Sequence, residues 1–279
     1  MPIMHSYICR HYCNFDKTKP RGYRMILNRI NTWPAVIVDF LDQNQIFLID
    51  YHSQKQCSEA ESRSLAFRLD QVVSELKAIL STSDFTATGY HSTRLTLEEA
   101  DQIKQHGMDL PNGNLLKQRI RTLVSKGRIS ETIGKALQTE NQADDKNRAG
   151  MIWFCFYLPH SAGESGIGRL FMSWGGEALY NSHENNPVTG KVLKQIGIPC
   201  VIQAKIPIAG LDTLSLAFNM IGTYLKGKSN YREPTRHDNY SLMPIKAENI
   251  TKIIKFPSYE FNRLTRHTTW RTQLQGEVS

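Results

Sequence analysis

The chain has 279 residues, 40% hydrophobic and 22% charged, with a formal net charge of +8. That supplies enough apolar material for one large domain, or a medium domain with a small companion, and it excludes bulk disorder. No apolar run approaches the ~18 residues that cross a bilayer, so no membrane partner is expected, and residues 1–17 lack the continuous apolar core of a secretion signal.

Five cysteines, Cys9, Cys13, Cys57, Cys155 and Cys200, make an odd count, and two of them lie in apolar runs. This fits a reducing, cytoplasmic setting better than a disulfide framework. Cys9 and Cys13 sit among His5 and His11, but the spacing matches no common zinc pattern and no metal is expected there. The charge is uneven. Residues 226–279 carry 10 basic against 5 acidic groups, a net +5, including Lys226, Lys228, Arg232, Arg236, Arg263, Arg266 and Arg271.

In chain order, Trp33 to Tyr51 shows two β-branched and aromatic runs around the polar stretch LDQNQ, which predicts a β-hairpin. Leu65, Leu69, Val72, Val73, Leu76, Ile79 and Leu80 recur at helical steps and predict an amphipathic helix. Ser81 to Thr88 is small and polar and marks a boundary. Residues 1–83 therefore read as a small N-terminal α+β unit, and 84–279 as the main domain.

Thr96 with Glu99 three residues later forms a capping box that opens a helix, and Gly107 is placed to close it. A second helix carries Leu115, Leu116, Ile120, Leu123 and Val124 and stops near Gly127; a third starts at Ser130. After a polar loop at 140–150, MIWFCFYL predicts a buried strand. GRLFMSW predicts another, reached through the glycine-rich stretch HSAGESGIG, so a dinucleotide-binding glycine motif lacks its strand-to-helix setting. Gly175 and Gly176 turn the chain into GEALY. A short helix is expected over 191–196, a strand at IPCVIQAKIP, a helix at DTLSLAFNMIGTYL, a polar loop at KGKSNYREPTRHDN, and a last strand at ITKIIKF.

Three clusters carry candidate chemistry. They are Tyr90-His91-Ser92-Thr93-Arg94 at a strand end, Trp174 to Tyr180 with His183 and Glu184 beyond, and the loop from Tyr231-Arg232-Glu233 to His237-Asp238. Each residue also has a structural reading: a hydrogen-bonded histidine, core aromatics, a helix-start glutamate, a turn-capping aspartate.

Tyr-His-x-Thr at a strand end resembles the first motif of the ADP-ribosyltransferases of the diphtheria-toxin and poly-ADP-ribose-polymerase type. IWFCF resembles their aromatic-rich second strand, and MPIKAENITKII resembles the close of bacterial toxin members. The resemblance spans about residues 88–257. It implies an α+β fold, with an ADP-ribosyltransferase-like core of two packed, mostly antiparallel sheets, flanking helices and the small N-terminal appendage. It implies NAD as substrate, with His91 on its ribose and Ser92, Thr93 and Arg94 around the dinucleotide. Tyr180 is the candidate for stacking on nicotinamide, with Trp174 and its neighbour Gly175 second. Asp238 falls near the catalytic carboxylate position, with Glu233 and Glu177 as alternatives; the family's usual residue there is Glu, and Asp is a departure.

These residue types suit the chemistry. Loss of nicotinamide from NAD leaves an oxocarbenium-like ribosyl cation, which a fixed carboxylate stabilises where water is excluded. The leaving group departs neutral and needs no proton. An aromatic face holds the planar ring, a histidine can bond a ribose hydroxyl, and Arg94 or Arg169 can pair with pyrophosphate. The expected function is mono-ADP-ribosyl transfer, as a bacterial toxin or anti-phage effector with a neutralising antitoxin partner. The basic tail and the run Lys117, Arg119, Arg121, Lys126 and Arg128 favour a nucleic-acid acceptor, RNA or single-stranded DNA. The alternatives are a protein-modifying transferase, an NAD-dependent RNA 2′-phosphotransferase, and a non-catalytic binding protein.

Overall fold

Capped, periodic segments fold as helices, and the runs at 86–95 and 198–207 fold as the two longest strands, in a computed structural model that describes residues 24–53, 58–82, 84–232 and 237–276. β1 (Arg24–Met25) precedes α1 (Ala35–Gln43), α2 (Gln45–Ser53) and the long α3 (Glu59–Ser81). β2 (Thr86–Leu95) leads to α4 (Leu97–His106), α5 (Gly113–Ser125) and α6 (Glu131–Thr139). β3 (Ile152–Cys155), α7 (Gly163–Met172), α8 (Glu177–His183) and α9 (Thr189–Gln195) follow. The chain then forms β4 (Ile198–Pro207), α10 (Thr213–Lys228), β5 (Asp238–Ser241), β6 (Ile250–Lys255) and α11 (Tyr259–Thr265). The class is α+β, and no described helix is long and apolar enough to cross a membrane.

The expected helix caps are present. Thr96 and Glu99 form the reciprocal capping box of α4, and Gly107, at φ +88°, ends that helix. Asn112 and Ser130 cap α5 and α6 through their side chains.

Two elements differ from expectation. The segment 33–51 is not a hairpin but the helix pair α1 and α2. Ile37, Phe40 and Leu41, then Phe47 and Leu48, bury on helical spacing, Pro34 sits just ahead of the first turn, and Asn44 (φ −100°) lacks the positive φ of a tight hairpin turn. GRLFMSW is not a strand: residues 163–172 form α7, whose Ile167 and Phe171, one turn apart, pack on Phe261 and Leu264. β3 is likewise not buried throughout. Ile152 and Phe154 point inward while Trp153 is 45% exposed.

The strands make one six-stranded sheet in the order β5-β3-β2-β4-β6, with β1 parallel to the start of β2 and the other pairs antiparallel. β2 pairs with β4 along its whole length, from Thr86↔Pro207 to Leu95↔Ile198. It meets β3 at a single pair, Tyr90↔Cys155. The expectation of two packed sheets is thus corrected to one sheet that is almost divided. β3 is four residues long, and Pro159 then turns the chain away, so the β3–β5 ribbon hangs from one point of β2.

Described residues of the N-terminal unit expected over 1–83 share a hydrophobic cluster with the sheet. Met25, Ile37 and Leu76 lie in the same buried group as Ala87, Ile206 and Met220. A second cluster joins α5, α6, α8 and α9 around Trp174, and a third joins α7 to α11.

Candidate functional site

Because β3 leaves β2 after Tyr90, the strand edge beyond it is uncovered by any described strand. A cavity of about 550 Å³ opens there, walled by His91, Ser92 and Thr93 of β2, by β3, by Arg119 of α5, by α7, by Gly175 to Ala178, and by Asp238 of β5. Its size is that of a small-molecule site.

His91 lies midway along β2 rather than at the strand end. Its Nδ1 is 2.8 Å from the Trp153 carbonyl oxygen. A carbonyl only accepts, so Nδ1 carries the proton and Nε2 is left as an acceptor. Burial holds the His91 pKa below its ordinary value, against the carbonyl and with help from Arg119, which keeps the ring neutral. Asp238 opens β5 opposite Cys155, which itself stands opposite Tyr90, so one row of the sheet reads Tyr90, Cys155, Asp238. Tyr157 donates its hydroxyl to Asp238 Oδ1 at 2.7 Å. Burial, and then Asp238, through its hydrogen bond and its charge, push the Tyr157 phenol up, so it remains a donor. The same two causes push the Cys155 thiol up to about 12, which removes it as a nucleophile at neutral pH.

One buried polar atom in the walls, Ser92 Oγ, has no hydrogen-bond partner, and Arg148 Nε has only an ion-pair contact with Glu177. Such groups are costly unless a ligand or water completes them. Arg148 stands 3.4 Å from Glu177 Oε2 and 3.4 Å from Asp145 Oδ1. Arg119 is fixed by Glu99, its Nε 2.8 Å from Oε1, and lies over the Trp174 ring at 4.6 Å. Glu99 also accepts from the Thr96 amide and from Trp174 Nε1. Burial works to raise the Glu99 carboxyl, but Arg119 and these donors outweigh it and hold it below its ordinary value.

Of the residues singled out from the sequence, His91, Ser92, Thr93, Gly175, Glu177 and Asp238 line this one cleft. Gly175 and Gly176 both have positive φ (+82° and +58°), and a Cβ on Gly175 would come 2.4 Å from Leu179; that tight turn sets Glu177 at the rim.

The others are placed elsewhere. Arg94 is buried and donates to the carbonyls of Ile196, Phe171, Gln275 and Gly276, so it braces the core rather than a dinucleotide. Trp174 is wholly buried against Glu99. Tyr180 is also buried off the cleft, its hydroxyl on Glu177 Oε1 and the Arg169 guanidinium 4.0 Å from its ring centre. Arg169 is itself paired with Glu184. Neither aromatic lines the cavity: Trp174 packs in the cluster of α5, α6, α8 and α9, and Tyr180 is held by Arg169 and Glu177. Glu233 and Arg236, like Cys9, Cys13, His5 and His11, lie outside the described residues.

The basic run on α5 is partly neutralised. Lys126 and Arg128 both face Glu98, at 3.3 and 3.5 Å, and Arg119 faces Glu99. Lys228 of the basic tail pairs with Asp42 and Lys252 with Glu260. Residues that sequence reasoning missed are Tyr157, Trp153 and Arg148. The alternation of MIWFCFYL held the signal for the first two, since Trp153, Cys155 and Tyr157 recur with period two.

No protein-family model, curated protein or solved structure matches this chain.

Proposed function

We propose that this chain is an NAD-dependent mono-ADP-ribosyltransferase working in the cleft between β2 and β3. The observation that carries the proposal is that His91 and Asp238, far apart in sequence, line one cavity in which Ser92 Oγ has no hydrogen-bond partner. NAD is the substrate. Its nicotinamide ribose lies in the gap where β3 parts from β2: alternation along β2 sets His91 on the face opposite Tyr90, Cys155 and Asp238, so the imidazole meets the ribose through that gap, with Nε2 accepting from a ribose hydroxyl. Ser92 and the uncovered edge of β2 meet the carboxamide, and Arg148 meets the pyrophosphate. The stacking role falls to Tyr157, the cleft aromatic bonded to Asp238.

As the bond from ribose C1′ to nicotinamide nitrogen breaks, its electron pair leaves with neutral nicotinamide. Asp238 stabilises the ribosyl cation. An acceptor lone pair then bonds to C1′, and the acceptor's proton passes to the carboxylate. The acceptor we favour is nucleic acid, RNA or a single DNA strand, supported by the net charge of +8; the paired state of the α5 cations moves that support away from α5. In this role the protein is a toxin or defence effector held in check by an antitoxin.

The test is incubation with NAD labelled in its adenylate half, together with RNA, single-stranded DNA or total protein. Release of nicotinamide and label in one pool is expected, both lost in His91→Ala and Asp238→Asn. Intact NAD with no labelled pool would end the proposal.

A further inference from the structure

The face of the sheet that carries Asp238 also carries a second feature that NAD does not use. Side chains two apart on a strand share a face. Trp153 therefore lies on the side of Cys155, and Tyr240 on the side of Asp238. The register pairs them across the strands, Cys155↔Asp238 and Trp153↔Tyr240. The two rings are in contact, centroids 4.8 Å apart at 56°. Trp153 is 45% exposed, the other three tryptophans are buried or half-buried, and Trp153 borders the cleft. Its ring is tethered in this open position by Nε1, 3.4 Å from the Asn147 carbonyl, and its own carbonyl holds His91. The exposed Lys146 precedes Asn147, and Arg148 follows it.

We infer that Trp153 and Tyr240 form a stacking platform for an unpaired base of a single-stranded nucleic acid, at the mouth of the cleft. The link from this platform to chemistry rests on the transferase reading above; the binding itself needs no NAD. One step of two strand residues, roughly 7 Å, separates the aromatic row from the row of Asp238. A base on the platform thus presents its edge toward the position where the ribosyl cation would form. Cross-strand aromatic pairs that only stabilise a sheet gain by covering each other, but this pair leaves an indole open to solvent beside a cavity. Flat, sequence-tolerant aromatic surfaces flanked by cations are how proteins hold single strands, and the exposed Lys146 supplies charge for the phosphates. A peptide without acidic side chains would make no use of that cation, so the nucleic acid is the better fit.

The full chain is titrated, without NAD, with ten-nucleotide single-stranded DNA and RNA homopolymers. Tryptophan fluorescence and the anisotropy of the labelled strand are followed together. Stacking should quench the exposed indole saturably, and a duplex of the same length should bind more weakly. Trp153→Phe should lose the quench while keeping most of the binding, which also reports that the variant folds. Trp153→Ala and Tyr240→Ala should each weaken binding about tenfold. Lys146→Ala should lower the salt dependence. Unchanged binding by Trp153→Ala overturns the platform, and so does quenching by an unstructured peptide in preference to the oligonucleotides. The two readings fail separately. Single-strand binding through Trp153 without NAD consumption by the unaltered protein removes the transferase and leaves the platform. NAD consumption with Trp153-independent binding does the reverse.

Discussion

Asp238 accepts the hydroxyl of Tyr157 at 2.7 Å, and this sets the expected order of losses at the residue scale. Asp238→Asn removes the charge proposed to meet the ribosyl cation, and should lower kcat for NAD consumption by roughly a hundredfold or more with little change in KM. Tyr157→Phe removes a hydrogen bond to a charged group, and should cost roughly tenfold in kcat.

His237, beside Asp238, gives a pH prediction. It is 2% exposed, and burial, with Lys226 adding, lowers its pKa to about 4. Unfolded, the imidazole regains its ordinary value of 6.5. Between these values the unfolded chain takes up a proton that the folded chain refuses, so stability is full above about 6.5 and falls as pH drops toward 4. The loss amounts to about 3 kcal/mol. His91 and His267 are shifted in the same direction and add to the slope. Denaturant midpoints measured from pH 7 to pH 4 should show the fall, and His237→Gln should reduce its steepness.

At the scale of elements, Glu99 is the joint that matters. It caps α4, anchors Arg119 on α5 and accepts from Trp174 ahead of α8. Glu99→Ala leaves a half-buried guanidinium and a buried indole N–H unpaired, and should cost about 3 kcal/mol in urea unfolding. The capping box at Thr96 and Glu99 and the cap at Ser130 could be read directly, because caps are local chemistry. The helices at 35–53 and 163–172 could not. VIVDF and IFLIDY have the composition of strands, and only their docking on Leu76 and its neighbours decides for helix. The site divides in the same way. His91 reads from the sequence at a strand end and Asp238 in a loop, both singled out by the family resemblance; the structure sets His91 mid-strand and Asp238 at the start of β5, and both line the cleft. Tyr180 and Trp174 were misplaced because sequence order does not say which face of a helix or turn meets the cleft. Arg148 was invisible because its role depends on a loop folding back to α8.

For the molecule as a whole, the cleft depends on a core assembled from both ends of the described chain. Tyr224 of α10 donates to Asp42 of α1, β1 extends the start of β2, and Leu76 is buried in the largest hydrophobic cluster. A fragment of residues 84–279 would uncover α10 and the inner face of β4. Its expected behaviour is insolubility, or a circular dichroism spectrum without a cooperative thermal transition. Leu76→Ala should cost about 3 kcal/mol across one transition that includes the cleft.

Arg94 adds a tie in another direction. Its guanidinium gathers carbonyls from α7, from the turn before β4 and from residues 275 and 276. A cation so enclosed loses its compensation when acceptors are withdrawn. Trimming the chain back to residue 274 would deprive Arg94 of two of these carbonyls, three residues along β2 from the imidazole at His91. A cut at the C-terminal end of the described residues should thus be felt at the proposed NAD cleft, as weaker NAD binding in calorimetry and a lower melting temperature.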